Sequence, residues 1–289
     1  MKQQIEQVLE QIGDYSLILS ITPVSGGDIN QAYHIQTHQH NYFVKQNHDV
    51  PTHFFHFEAT GLSLIEQTST IAVPHVYYYN KPIGSEQAII VMDWVEGALN
   101  SETSATLGYN LANMHKHISN HYGLNQDGFI GTLNQPNQLT ADWITYFQHY
   151  RFIPLLKKAI ERNLLPKNRR VKLEKLIDRV ATWLPKYPSA SLLHGDLWGG
   201  NWLSGPNGAP YLIDPAVVYG DHLFELAFTK LLGGFSQNFY DAYQEIFPFE
   251  PYYQDVEQIY QLYYLLVHLI LFGEGYGTAV DRILTRYIN

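Results

Sequence analysis

Three oxygen-bearing side chains stand out by type and spacing. In LLHGDLWGGNWL, Leu192 to Leu203, Asp196 and Asn201 stand five apart, and Asp214, in the segment IDPA, follows thirteen residues beyond Asn201. A loop carboxylate can accept a proton, and a carboxylate with an amide oxygen can hold a hard cation such as magnesium. The bland alternative is that Asp196 caps a turn, Asn201 tolerates left-handed dihedrals and Asp214 ends a strand. Three elements in a fixed order weigh against it. The apolar flanks read as short strands that bury their backbone and hold the polar loop at the surface.

An Asp, four intervening residues and an Asn, then a second Asp beyond a hairpin, resembles the catalytic loop and metal site of protein kinases. That resemblance implies phosphoryl transfer, with Asp196 near the acceptor hydroxyl and Asn201 and Asp214 as ligands of magnesium bridging the phosphates. Upstream, Lys45 ends the apolar run YFVK, and Glu58 lies thirteen residues on in FFHFEATGLSLI, whose apolar positions suit a helix. A strand lysine paired with a helix glutamate would be aimed at the nucleotide phosphates. Alone, the pair could be a snorkelling lysine and a solvated glutamate; the downstream motif favours the pairing. Ser25, Gly26 and Gly27, in SGGDIN, sit where missing side chains let backbone amides approach a phosphate, although Gly-Gly is also an ordinary hairpin turn. Gln87 to Met92 runs into DWVEG, with Gly97 to let the chain turn. This resembles a hinge between lobes, where the Asp93 carbonyl and the Val95 amide would bind the edge of an adenine. His48, His53 and His56 lack a Cys/His framework and read as surface histidines.

These residues need a scaffold. Ile5, Val8, Leu9 and Ile12 recur at helical spacing, with Gly13 as a left-handed cap. Short β-like runs follow at Ser16 to Val24, Gln31 to Thr37, Asn41 to Lys45, Val76 to Tyr79 and Gln87 to Met92. From Ser101 helical spacing dominates: Leu107, Leu111 and Met114, a Thr140-capped helix from Ala141 to about Arg162, and a run to Leu184 opened by Pro166 as its first helical residue. Beyond IDPA the periodicity predicts helices over Asp221 to Leu232, Gln237 to Phe247, Val256 to Phe272 and Thr278 to Ile288. The expected fold is α+β, two-lobed and protein-kinase-like. A small antiparallel β-rich N-terminal lobe, residues 1–95, would bind nucleotide; a mostly helical C-terminal lobe, residues 96–289, would carry the catalytic loop and substrate site.

Bulk properties narrow the partners. The formal charge of −9 over 289 residues repels phosphodiester backbones and disfavours nucleic acid. The absence of cysteine excludes disulfides and thiol catalysis and is compatible with a reducing compartment. MKQQIEQVLEQIG is too polar for a signal peptide, and Leu262 to Phe272 has only about half the length that crosses a bilayer. The expectation is a cytoplasmic protein with no membrane association.

With these motifs in hand, the chain resembles the fructosamine kinase (ketoamine kinase) family, a branch of the protein-kinase-like phosphotransferases that includes aminoglycoside and choline kinases. SGGDIN with Ala32 and Tyr33, FVK at Lys45, EATGL at Glu58, LLHGDLWGGN, IDPAVVYGDH, LGGF at Leu232 to Phe235 and FGEGYG at Phe272 to Gly277 carry the resemblance over nearly the whole length. It implies ATP-dependent, magnesium-assisted phosphorylation of a sugar hydroxyl in a fructosamine- or ribulosamine-type ketoamine, on a free amine or a glycated protein lysine. The 3-phosphate makes the adduct unstable, so the amine is released, a deglycation repair. Asp196 would be the base, Asn201 and Asp214 the metal ligands, and Lys45 with Glu58 the phosphate pair. Trp198 would offer a ring face to the ketoamine, or else anchor packing, and His268 would belong to the sugar pocket. Three departures stand out. Leu223 and Glu225 occupy positions where an acidic residue and an Asp are expected in support of the catalytic loop. Ile270 and Leu271 replace polar residues near the sugar pocket. Asp28 stands where many relatives carry a cysteine, so a disulfide-linked dimer is impossible. The rivals are a kinase of the same fold acting on an aminoglycoside, choline or a sugar, and a nucleotide-binding pseudokinase, against which the complete set of five residues argues.

Overall fold

The N-terminal periodicity forms helix α1 (Lys2–Gln11). Its Ile5, Val8 and Leu9 are buried against Ile35, Tyr42, Val44, Ile89 and Val91 of a five-stranded sheet. The sheet comprises β1 (Ile18–Val24), β2 (Gln31–Thr37), β3 (Asn41–Asn47), β4 (Val76–Tyr79) and β5 (Ala88–Asp93), in the order β1-β2-β3-β5-β4 with every neighbouring pair antiparallel. Because side chains alternate across a strand, burying Val44 beneath α1 turns Phe43 and Lys45 to the opposite face. Lys45 is in register with Ala32 on one side and Ile90 on the other. Between β3 and β4 runs α2 (Phe54–Gln67), which buries Phe55, Phe57, Leu62 and Ile65. This is a computed structural model that describes residues 2–25, 29–84 and 86–288.

The chain divides into two units, Met1–Thr103 with Trp202–Asp214, and Ser104–Asn201 with Pro215–Asn289. No single cut, at residues 95/96 or elsewhere, separates them, because the hairpin of β9 (Trp202–Ser204) and β10 (Pro210–Leu212) returns to the first unit. Hydrogen bonds fix that return. The Leu212 N–H donates to the Ala72 carbonyl at 2.9 Å, and the Asn100 side-chain amide donates to the Asn207 carbonyl at 3.0 Å. Gly97 serves a different purpose from the expected turn: a Cβ on it would lie 1.8 Å from the Gly205 carbonyl oxygen, so the two segments approach only because no side chain intervenes.

The second unit holds α3 (Thr103–His115) from its second residue on, then the hairpin β6 (Gly128–Ile130) and β7 (Leu133–Gln135). The helix expected from Ala141 is broken into α4 (Trp143–Tyr146), a π-helical turn (Phe147–Phe152) and α5 (Ile153–Glu161). Its cap is Asp142, which accepts the Thr145 N–H at 2.8 Å, and not Thr140, whose hydroxyl donates to the Asp142 carbonyl. Pro166 precedes α6 (Lys167–Asp178) as its cap rather than its first residue, since its ψ of 150° is extended. Strands β8 (Ser191–Leu193) and β11 (Val218–Gly220) pair antiparallel. Four helices complete the unit: α7 (His222–Leu231), α8 (Gln237–Ile246), α9 (Tyr253–Phe272) and α10 (Gly277–Tyr287). Helix α9 is the core helix expected from its apolar run, buried at twelve positions from Tyr253 to Ile270. Among the described residues no helix is long and apolar enough to cross a membrane. Buried Asp221 caps α7 by accepting the Leu223 N–H and also accepts the Tyr260 hydroxyl at 2.6 Å, while the Trp143 indole N–H donates to the same Tyr260 oxygen at 2.9 Å.

Candidate active site

In the first unit the expected lysine and carboxylates meet. Lys45, 4% exposed, donates from Nζ to Glu58 Oε1 at 2.8 Å and to Asp214 Oδ1. Burial alone would depress the lysine pKa, but the charges of Asp214 and Glu58 outweigh it and push the ammonium above its ordinary value. Burial pushes the Glu58 carboxyl up, and repulsion by Asp214 adds to this against the attraction of Lys45. Asp214 stands apart from the other two because its side chain is about 40% exposed and its φ of 56° is left-handed. Its exposed carboxylate is a hard oxygen donor of the kind magnesium takes, one that Lys45 would share.

The other residues expected on the nucleotide side are less closely tied together. Ser25 is exposed at the end of β1, and Gly26 and Gly27, like Asp28, lie outside the described residues. Asp93 closes β5 with its carboxylate committed to the His75 N–H at 2.9 Å and the Tyr77 hydroxyl at 2.8 Å, and its own N–H to the His75 carbonyl at 3.0 Å. Val95 follows, half-buried. Between them, Trp94 stacks on His34 with ring centroids 4.0 Å apart and has Phe43 at 6.1 Å. Register places His34 opposite Phe43, on the face that carries Lys45.

In the second unit the Asp196 loop is held mainly through its backbone. Asn201 donates from Nδ2 to the Asp196 carbonyl at 2.8 Å and to Asp196 Oδ2 at 3.1 Å. With its donors spent there, the group Asn201 retains for a cation is its amide oxygen, a hard ligand. His194, fully buried, accepts the Asp196 N–H at Nδ1 and the Ala216 N–H at its carbonyl. Gly195 has φ of +84°, and a Cβ there would lie 2.0 Å from the Ala216 carbonyl oxygen, so only glycine suits the turn. Its peptide is gripped on both sides: the N–H donates to Glu225 Oε1 at 2.6 Å, and the carbonyl accepts the Tyr264 hydroxyl at 3.2 Å. The His194 N–H donates to Glu225 Oε2 at 3.2 Å.

Glu225 therefore supports the loop where an Asp is expected. The longer side chain reaches two loop amides from α7, and the leucine at 223 is simply buried in the core. Burial raises the Glu225 carboxyl pKa, but hydrogen bonds from His115 and the Gly195 amide win and hold it below the ordinary value.

Trp198 is 36% exposed, with its ring against Gly200, where a Cβ would lie 2.3 Å from the ring edge. An anchor in the core would be buried; this ring shows part of its surface. His268 sits on α9, about one turn beyond Tyr264, and its Nδ1–H donates to the Tyr264 carbonyl at 2.8 Å, leaving Nε2 as an acceptor. Burial lowers its pKa against that bond. Phe228, Phe272 and Tyr276 surround the ring. Ile270 is buried in the core of α9 and Leu271 only partly. Sequence reasoning missed Tyr264, His115 and the Trp94–His34 stack. Their signals were weak: a tyrosine in an apolar helix, a histidine at a helix end, and an aromatic beside a hinge.

With the geometry described, comparison with known proteins defines the class and then the family. Superposition on the crystal structure of a candidate fructosamine-3-kinase from Haemophilus somnus gives a TM-score of 0.87 at 28% identity, covering 100% of this chain and 98% of that one. An aminoglycoside phosphotransferase shares the fold at a TM-score of 0.64 and 12% identity, covering 99% of each chain. The class is therefore the two-lobed α+β kinase-like fold. Residues 1–289 match the fructosamine kinase family, and the chain belongs to that family of phosphotransferases. A probable ketoamine kinase of Enterococcus faecium is 39% identical over 277 residues, covering 96% of this chain and 98% of that protein. A chloroplastic protein-ribulosamine 3-kinase of Oryza sativa subsp. japonica is 32% identical over 296 residues, covering 99% and 83%.

Proposed function

We propose that this protein is an ATP-dependent ketoamine kinase, phosphorylating a sugar hydroxyl of a fructosamine- or ribulosamine-type adduct on a free amine or a protein lysine. The observation that carries the reading is the Asp196 loop, braced by Asn201 and Glu225, in a chain that matches the fructosamine kinase family throughout. Asp196 accepts the proton of the acceptor hydroxyl as that oxygen bonds to the γ-phosphorus. The bond to the β,γ-bridging oxygen breaks and ADP leaves. Lys45, kept charged by its carboxylate neighbours and oriented by Glu58, binds the nucleotide phosphates. Asp214 and the Asn201 amide oxygen are the residues that would hold magnesium, and the chemistry it supplies when bound is neutralisation of phosphate charge. Trp198 presents its exposed ring surface to the C–H face of the sugar, and His268 offers Nε2 to a sugar hydroxyl.

The test is ADP release, coupled to a spectrophotometric readout with magnesium present, against glycated amines carrying five- and six-carbon sugars, a glycated protein, choline and aminoglycosides. Turnover confined to the ketoamines is the expected result. Turnover of choline or an aminoglycoside with none of any ketoamine would overturn the reading.

A further inference from the structure

Glu225 grips the catalytic loop, and a line of buried side chains in the second unit in turn grips Glu225. His115, at the end of α3, places Nε2 2.8 Å from Glu225 Oε2 and Nδ1 2.7 Å from the Tyr243 hydroxyl of α8. The same hydroxyl lies 2.7 Å from Nδ1 of His222, the first residue of α7, and His222 Nε2 lies 2.9 Å from Glu250 Oε2. Glu225, His115, Tyr243 and His222 are each fully buried, while the Glu250 side chain is about one third exposed. Four hydrogen bonds therefore run unbroken from the loop's clamp to a carboxylate that reaches solvent.

Counting donors fixes the protons on this line. Ionised Glu225 only accepts, so His115 Nε2 must carry hydrogen. Burial lowers the His115 pKa and the Glu225 interaction only partly restores it, which leaves the ring neutral with a bare Nδ1 that accepts the Tyr243 O–H. The Tyr243 oxygen must then accept a hydrogen from His222 Nδ1. Glu250 Oε2 faces the other ring nitrogen of His222 and closes the line.

We propose that His115 is a positioning residue for the kinase reaction: it holds Glu225 in the orientation that grips the His194 and Gly195 amides, and Tyr243, His222 and Glu250 keep its Nε2 hydrogen directed at Glu225. A buried carboxylate with two backbone donors on one side and a single ring donor on the other has its rotamer set by both. Without the ring donor, Glu225 Oε2 loses one of its two partners in an apolar site, and the peptide preceding Asp196 is released from its fixed orientation. The effect reaches the reaction only through the loop, so it belongs to turnover and not to substrate affinity. The inference rests on Asp196 being the base, and its test has one arm that needs no substrate.

The experiment compares His115→Leu, which removes the donor, with His115→Gln, whose Nε2 can still donate to Glu225 and whose carbonyl can accept from Tyr243. Amide hydrogen exchange at Gly195 and steady-state kinetics are read on both. His115→Leu should speed Gly195 exchange at least about tenfold and lower kcat at least about tenfold, with both KM values within about twofold of wild type; His115→Gln should return both readouts to within about threefold. Tyr243→Phe, which preserves ring volume and cuts the line one link further out, should move both readouts the same way by less and serves if the leucine variant does not fold. Unchanged Gly195 exchange in a folded leucine or phenylalanine variant would overturn the proposal, as would a glutamine variant no better than leucine. If the wild type phosphorylates no ketoamine, the functional reading fails, while Gly195 exchange still decides whether His115 positions the loop.

Discussion

Lys45, Glu58 and Asp214 hold one another by charge, one ammonium between two carboxylates, whereas Asp196 is held by the peptide it belongs to, with Gly195 bonded at both its N–H and its carbonyl. Ion pairs between side chains can change partners when a charged ligand arrives; a backbone pinned by buried Glu225 and Tyr264 cannot do so without breaking desolvated hydrogen bonds. The difference suits a reaction in which phosphates and cation come and go while the base must present the same geometry each time. Mutations should therefore act on nucleotide affinity in the first region and on turnover in the second.

The sharpest way to break that contrast is Asp196→Asn. It keeps the shape of the loop and removes the proton acceptor, so kcat should fall by about a hundred- to ten-thousand-fold with ATP affinity and melting temperature close to wild type. Retention of more than about a tenth of the rate would show that Asp196 is not the base. Asp214→Ala acts on the other region: magnesium-ATP should bind about ten- to a hundredfold more weakly, as for loss of a charged contact, and excess magnesium should not restore full activity. Calorimetry giving wild-type affinity would remove Asp214 from the metal site.

Trp198→Ala sharpens the comparison at a position that is neither charged nor a backbone clamp. The exposed ring surface predicts a loss in ketoamine kcat/KM of about tenfold with the ATP KM unchanged. A buried Trp anchor cut to Ala would instead cost about 3–5 kcal/mol of stability. Thermal melts beside kinetics separate the two, and a large melting loss with unaltered ketoamine kinetics would assign the ring to packing.

The smallest effect is on stability against pH. Burial lowers the His115 pKa below its ordinary 6.5, and the Glu225 carboxyl is held below its ordinary 4.5. For both, the unfolded chain binds protons that the folded chain refuses as pH falls. Their contribution is complete above about 6.5 and declines through His115, then through Glu225 below about 4.5. Buried Asp221, whose pKa burial raises, works in the opposite sense. The melting temperature should fall by a few degrees between pH 7.5 and pH 5, and His115→Gln should lack the first part of that fall. Parallel pH profiles for the two proteins would count against a neutral buried His115.

The sequence by itself determined the motif residues and most of the elements. Asp196, Asn201 and Asp214 were legible because a turn and a hairpin fix their separation locally, and α2 and α9 because apolar spacing reports a buried face. Lys45 and Glu58 were legible only as a pair whose meaning depended on the downstream motif. Local propensity could not choose between Thr140 and Asp142 as a cap, since both side chains can accept a backbone N–H; the Thr140 hydroxyl is used elsewhere, and that is a tertiary fact. The boundary between units also escaped the sequence, because the hydrogen bond from Leu212 to Ala72 joins segments 140 residues apart, and nothing in either segment names its partner. Glu225 shows the same limit from the other side. Its identity departs from the expected Asp, yet a carboxylate's role depends on where its oxygens end, and only the packing of α7 against the loop decides that a side chain one methylene longer arrives at the Gly195 amide. Spacing along the chain encodes what neighbouring residues can do together; what distant residues do together is set by burial, where each polar group must find its partner or forfeit the stability of the fold.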